Sequence, residues 1–454
     1  MITVAATTSQ SIAQSPVSAR TIRIAGGSPL HGEVTIGGAK NAALPALAAT
    51  LLTADECVLN NVPNLADIAT MADLLRTLGA EVELDLARHR VRVRAAQLTS
   101  TSAPPALVAK MRASFLVAGP LLARCGAATA STPGGCQLGA RPVDVDVRGF
   151  KQMGAAVDFS ERQIAARTAG LRGARIYMDY PSHTGTENLL MAATLASGRT
   201  TIVNAACEPE IVGFGNMLNR MGARISGLGS PTLTIEGVDR LHGVSETILP
   251  DRLEAGTFAI GAVITGGEVK IHNVVSFDML PLTAKLRQAG AEVWHSDDSM
   301  MVRSGASLQA VEIQTLPFPG FPTDLQAAFA VLMTQAHGVS TIRERVFEDR
   351  LRYTDQLLAM GANVAVEKYA PDKYGTRAEI TGPTPLHGTS LRALDIRAGA
   401  GMVLAGLIAD GETVIADVHH LDRGYEAFVP KLRSLGAQIT ESAGGGAQGA
   451  GAAS

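Results

Sequence analysis

A Gly-Ala pair with an aliphatic residue two positions on recurs six times in this chain, and no other feature restricts its fold as much. The copies are Leu78-Gly79-Ala80-Glu81-Val82, Met153-Gly154-Ala155-Ala156-Val157, Met221-Gly222-Ala223-Arg224-Ile225, Ala289-Gly290-Ala291-Glu292-Val293, Met360-Gly361-Ala362-Asn363-Val364 and Leu435-Gly436-Ala437-Gln438-Ile439, with the glycines 68 to 75 residues apart. Each follows an amphipathic stretch, such as 67–78 or 422–435. A helix closed by glycine and followed by an alternating strand accounts for that pattern. An Ala/Leu-rich helix lies upstream in every copy, starting near Asn41, Arg112, Thr186, Arg252, Asp324 and Arg397. It runs into β-like segments such as ECVLNNV, TTIVNAA, EVKIHNV and ETVIADV. The unit is therefore helix, strand, helix, then one or two strands, and the chain is α/β.

A chain of 454 residues, 46% hydrophobic and 18% charged, exceeds one ordinary core and can bury two. Six units divide into three and three, with the polar, Pro-containing stretch 245–251 as the crossover. An open solenoid is the alternative, but such arrays use shorter repeats with polar caps. Residues 1–18 and the Gly/Ala-rich 442–454 read as disordered tails. Lys and Arg number 39 against 42 Asp and Glu, so no general field draws the chain to nucleic acid or an anionic membrane. No apolar run is long enough for membrane insertion, and no secretory leader is evident. Four cysteines without CxxC spacing form no disulfide framework, which suits the cytoplasm. Ten histidines form no metal-binding pattern, so no metal is expected.

Cations stand where helix stability alone would not put them. Lys40, Arg112 and Arg397 open first helices, and Arg141, Arg350 and Arg423 stand at or just before second helices. The macrodipole favours acids there. Cations make sense if they share an anion with exposed backbone N–H groups. Taken alone, Arg350 could instead pair with Glu348 or Asp349. Cys136 lies in the glycine-rich loop 131–144, with four residues between it and Arg141, which suits an accessible thiol of lowered pKa acting as nucleophile or proton donor. Cys57, Cys125 and Cys207 read as small buried apolar residues. Asp324 either caps a helix or serves as a general base near the cations. Asp251 and Asp395 read as caps.

The segments 37–45, 110–114, 133–136, 139–144, Phe321-Pro-Thr-Asp324, 346–350, 395–397 and 421–425 resemble those of the UDP-N-acetylglucosamine 1-carboxyvinyltransferase family, from about Thr21 to Glu441. The resemblance implies the enolpyruvyl transferase fold, an inside-out α/β barrel of two domains, each of three βαβαββ-type units. One domain would span 40–249 and carry the Cys136 loop; the other would join 19–39 to 250–441. It implies transfer of the enolpyruvyl group of phosphoenolpyruvate to the 3'-hydroxyl of UDP-N-acetylglucosamine with release of phosphate, the first committed step of peptidoglycan synthesis. No cofactor is required, and the oligomeric state stays open. Lys40, Arg141 and Arg423 would hold the phosphate, with Asn41 beside them, and Arg350 and Arg397 the carboxylate of phosphoenolpyruvate. Asn41, Arg112 and Asp324 would contact the sugar nucleotide, with Arg141, Pro142, Val143, Asp144, Val145 and Val346 lining its pocket. Lys40, Arg423, Asp324 and Cys136 would be catalytic, Asp324 as base, and Cys136 as acid or adduct former and fosfomycin target.

Where many members have Ser-Val-Gly-Ala-Thr, this chain reads Pro181-Ser-His-Thr-Gly-Thr-Glu-Asn188, so His183 either contacts the nucleotide or fills space. Rival readings are a shikimate 3-phosphate transferase, which typically lacks the cysteine loop, a nucleotide transferase of antibiotic biosynthesis, and a non-catalytic sugar-nucleotide binder.

Overall fold

The computed structural model describes residues 20–131, 143–160, 163–368 and 375–442. All six repeat glycines have positive φ, between 89° at Gly154 and 105° at Gly79. In every copy the following alanine N–H reaches back five residues to a helix carbonyl at 2.9–3.0 Å, as Ala80 does to Leu75 and Ala437 to Leu432. This is the Schellman closure, which ends a helix and redirects the chain into the next strand. One dipeptide can therefore mark six units.

Six sheets follow among the described residues. In the first unit, Ser245–Thr247 lies parallel to Glu56–Asn60, then Arg90–Arg94 and Glu81–Asp85 follow antiparallel. Four other sheets repeat this order. The second unit has three strands, Ala127–Ser131, Gln163–Arg167 and Ala156–Phe159, and a lone Ser102–Thr129 bridge where the parallel edge strand would be. In the sixth sheet, Thr21–Ala25 from the start of the chain lies between Glu412–Ala416 and Gln438–Ser442. Ser442, expected in a tail, pairs with Thr21 because the antiparallel register carries the strand that far.

The six first helices are α1 (Lys40–Ala49), α2 (Ala118–Cys125), α3 (His183–Thr194), α4 (Arg252–Ile264), α5 (Gln326–Met333) and α6 (Ile396–Ile408). From Leu253 onward α4 is buried, as is α5 throughout, and α4, α5 and α6 pack on one another. Helices apolar on every side must be surrounded. The sheets surround them, burying alternate residues such as Ile22 and Ile24 and exposing those between. Buried hydrophobic residues form two separate cores, one drawn from 39–248 and the other from 22–36 and 253–439. The three units around each core are called here the first and second lobes.

Two expected helices are shorter than the pattern implied. From Arg112 the chain runs as a 3₁₀ turn, Arg112–Val117, before α2. Pro120 cannot donate to the carbonyl of Leu116 and clashes with it, so the preceding residues tighten into a 3₁₀ turn and Pro120 stands in the first turn of α2. The stretch from Asp422 likewise forms a 3₁₀ turn, Val418–Arg423, and its helix starts only at Phe428 after Ala427 in the left-handed region (φ 51°).

Two chain crossings join the lobes. His31–Thr35 lies in a second-lobe sheet and leads to α1 of the first, whereas Ser245–Thr247 lies in a first-lobe sheet and leads to α4 of the second. The crossings bond each other, Ala39 N–H to Leu249 O at 2.8 Å and Asp251 N–H to Gly37 O at 2.9 Å. Asn273 Nδ2 donates to Ile36 O at 2.7 Å and Asn61 Nδ2 to Ile248 O at 2.8 Å. A Cβ on Gly38 would stand 1.8 Å from Asn61 O, so only glycine fits there. Both crossings deliver helix starts to one cleft.

The repeat glycines are separable by their surroundings. Gly154→Ala places its methyl where nothing lies within 4 Å, and its left-handed φ alone should cost about 1–2 kcal/mol. Gly79→Ala adds a contact of 2.6 Å to Thr99 N. Thermal unfolding should therefore show a larger loss for Gly79→Ala than for Gly154→Ala; equal losses would mean that the closure contacts carry no weight.

Candidate active site

A cavity of about 1250 Å³ opens between the lobes. Lys40, Asn41, Arg112, Asp144 and Val145 line it from the first lobe, and Asp324, Val346, Arg350, Arg397 and Arg423 from the second. Lys40 is the first residue of α1 and Arg397 the second of α6. Arg350 opens a 3₁₀ turn, Arg350–Tyr353, ahead of a short helix, Thr354–Ala359. Arg423 ends its 3₁₀ turn and stands five residues before its helix rather than at the start. Pro45, inside α1, has no N–H to give Asn41 O, which leaves that carbonyl without its helical donor beside the cleft.

Two carboxylates organise the cations. Asp324 Oδ1 accepts from Arg350 Nη2 at 2.9 Å and Oδ2 from Arg397 Nε at 3.3 Å. The Arg350 partner is thus Asp324, not Glu348 or Asp349, because the turn aims the guanidinium inward and leaves it 4% exposed. Asp67 Oδ1 accepts from Arg423 Nε at 2.9 Å, and Oδ2 from Lys40 Nζ at 3.3 Å. Burial pushes the Lys40 ammonium below its usual range; Asp67 opposes that shift, and Arg397 and Arg423 add to it. Burial also opposes the Arg397 charge, but Tyr425, whose ring lies 5.1 Å away, and Asp324 hold it above the ordinary guanidinium range.

Asp324 does not cap its helix, whereas Asp251 and Asp395 do, each taking two backbone N–H groups on one oxygen. The turn carrying Asp324 is fixed by Glu344, which sequence reasoning passed over. One Glu344 oxygen accepts from Thr323 Oγ1 at 2.8 Å and Gln326 Nε2 at 3.2 Å, the other from Val346 N–H at 2.7 Å and Phe347 N–H at 3.0 Å. Asp67 was also passed over as a site residue, since an acid in the first turn of a helix is ordinary. Val143 belongs to the first core and is not among the cleft-lining residues; Asp144 pairs with Arg148 at 3.2 Å. Cys136, Arg141 and Pro142 lie outside the described residues.

The other cysteines only partly match the expectation of burial. Cys57 is buried, but Cys125, the last residue of α2, is exposed, and Cys207 is half-buried in a loop. Desolvation raises all three thiols above their usual range, so none has the thiolate character of a nucleophile.

The Pro181–Asn188 segment forms the start of α3, with Ser182 as its cap. His183 Nδ1 lies 3.2 Å from Glu187 on the cleft wall. Burial disfavours the imidazolium, but Glu187, then Glu208 and Glu210, push its pKa up to about 10. Behind it, Arg252 of the second lobe donates to Glu210 of the first at 2.9 and 3.3 Å, tying the lobes beside the crossings.

The family model for EPSP synthase (3-phosphoshikimate 1-carboxyvinyltransferase) matches residues 24–432. UDP-N-acetylglucosamine 1-carboxyvinyltransferase 2 of Carboxydothermus hydrogenoformans is 49% identical over 418 residues, 92% of this chain and 98% of that protein. The UDP-N-acetylglucosamine 1-carboxyvinyltransferase of Sorangium cellulosum is 50% identical over 92% of this chain and 97% of its own length. Among solved structures, the enolpyruvyl transferase NikO from Streptomyces tendae superposes with a TM-score of 0.84 at 26% identity, over 93% of this chain and 99% of its own. An EPSP synthase from Acinetobacter baumannii gives 0.72 at 18% identity, over 93% and 100%, which speaks to fold alone.

The charge on His183 has a pH signature. Its folded pKa, about 10, lies above its ordinary value of 6.5, so the stabilisation is complete below 6.5 and lost as pH rises through about 10. Melting curves should show wild type ahead of His183→Gln at pH 6 and that lead gone near pH 10. A lead that does not change with pH would mean the ring is neutral. Breaking the Arg252 pair by Glu210→Gln strands a buried cation and should cost about 3–5 kcal/mol.

Proposed function

We infer that this chain, which belongs to the UDP-N-acetylglucosamine 1-carboxyvinyltransferases of the EPSP synthase family, transfers the enolpyruvyl group of phosphoenolpyruvate to the 3'-hydroxyl of UDP-N-acetylglucosamine, with release of phosphate, in peptidoglycan synthesis. The observation that carries the reading is the cleft, whose two walls supply Lys40, Arg350, Arg397 and Arg423 around two carboxylates. A trianionic donor needs such a cluster, and a cavity of about 1250 Å³ has room for donor and acceptor together. The division into domains 40–249 and 19–39 plus 250–441 belongs to the same reading and is supported by the two separate cores.

The chemistry assigns each group a task. The acceptor O–H loses its proton to Asp324, the oxygen bonds to C2 of the enolpyruvyl group, and C3 gains a proton from Cys136. The C2–O bond to phosphate then breaks as C3 gives up a proton, which the leaving phosphate takes, and the double bond is restored. Lys40, Arg141 and Arg423 stabilise the departing phosphate, while Arg350 and Arg397 take the carboxylate. Asp324 can act as base once a substrate carboxylate has replaced it on its arginines, so donor binding and base activation are linked. Asn41, Arg112, Arg141, Pro142, Asp144 and Val145 hold the nucleotide, with Val346 on the facing wall.

The likeness to the enolpyruvyl transferase NikO, at 26% identity, agrees with enolpyruvyl transfer and does not favour another acceptor over the one named for the relative at 49%. Phosphate release should follow mixing of the protein with phosphoenolpyruvate and UDP-N-acetylglucosamine, and not with shikimate 3-phosphate or UMP as acceptor; release with another acceptor alone would refute the reading. For Cys136, fosfomycin should add its mass to the peptide holding that residue, and Cys136→Ser should abolish the adduct. Modification of Cys57, Cys125 or Cys207 instead would remove Cys136 from its assigned role.

A further inference from the structure

We propose that Asp67 is a positioning residue of this site, whose carboxylate fixes the Lys40 ammonium and the Arg423 guanidinium as one pair across the cleft. The inference rests on the reading of those two cations as the phosphate-binding groups. Asp67 is the second residue of the helix Ala66–Thr77, where an acid ordinarily serves the macrodipole from a solvated position. Here it is 4% exposed, lines the cleft and caps nothing. One oxygen meets Lys40, from the first lobe, and the other meets Arg423, from the second. A single carboxylate thereby sets the spacing of two cations that no common element holds.

The geometry has a consequence for protonation. Lys40 faces Asp67 from the second helix of its own unit, Arg397 from α6, and Arg423 from the turn Val418–Arg423, which also brings His420 to the cleft. Burial and both arginines oppose the ammonium, and Asp67 supports it by charge and by hydrogen bond. Without that carboxylate Lys40 would shed its proton at lower pH, while Arg423 would stay charged but lose its anchor. Asp67 therefore contributes to catalysis through other residues and need not touch substrate.

The test is the pH profile of kcat/KM for phosphoenolpyruvate. In Asp67→Asn the alkaline limb should move down by about one pH unit or more. KM for phosphoenolpyruvate should rise about tenfold, with KM for UDP-N-acetylglucosamine little changed. Adding Lys40→Arg to Asp67→Asn should restore the alkaline limb, because a guanidinium does not deprotonate in this range. Asp67→Glu, which keeps the charge, should hold the limb at its wild-type position. Should Asp67→Asn fail to fold, Asp67→Ser leaves space for water beside both cations and is read in the same way. A wild-type limb and a wild-type KM for phosphoenolpyruvate in the Asn or Ser variant would overturn the proposal. That result, combined with an inactive Lys40→Met, would leave the reading of the site intact. Full phosphate release by Lys40→Met would instead sink the phosphate-site reading itself.

Discussion

Lys40, Arg350 and Arg397 are each 9% exposed or less, and a cation taken that far from water costs several kcal/mol unless an anion meets it. Asp67 and Asp324 meet that requirement, each by dividing its two oxygens between two cations. The arrangement allows four positive charges to line one cleft without leaving any of these four unpaired. It also fixes what a substrate must offer. In the proposed reaction the donor's carboxylate replaces Asp324 on its two arginines, whereas its phosphate joins the two cations that Asp67 keeps in place.

The repeat explains how such a site arises. The starts of α1, α4 and α6 stand at the cleft, and Lys40, Arg252 and Arg397 at those starts line it. The two crossings then turn α1 and α4 toward the same cleft, held by backbone bonds and by Asn61 and Asn273. The Arg252–Glu210 pair ties the lobes beside these crossings, and the Arg423–Asp67 pair ties them across the cleft. Lobe geometry and site electrostatics are therefore linked, since one of the pairs joining the lobes is also part of the cation cluster.

Much of this was legible from residue order. The six Gly-Ala closures are local, set by the left-handed φ that glycine adopts readily, and the structure shows all six at positive φ. The start of α4 at Arg252 and the caps Asp251 and Asp395 were equally local. Failures occurred where a local pattern met a specific obstacle: Pro120 broke the helix from Arg112, and Gly424 with left-handed Ala427 delayed the one after Arg423. Asp67 and Glu344 escaped notice because acids at those positions look ordinary until their partners are known. Lys40 and Arg423 lie far apart in the chain, and no periodicity joins them.

The sequence by itself determined the number of units, their internal order and the kind of charge each presents, because these depend on helix closure, patterning and residue type over a few turns. Only the tertiary structure decided which cation meets which carboxylate. Asp324 took Arg350 in place of its near neighbours Glu348 and Asp349, and Asp67 took Arg423 from the opposite lobe. Such pairings are selected by burial, where an unmatched charge is costly, and burial is a property of the packed lobes rather than of any segment.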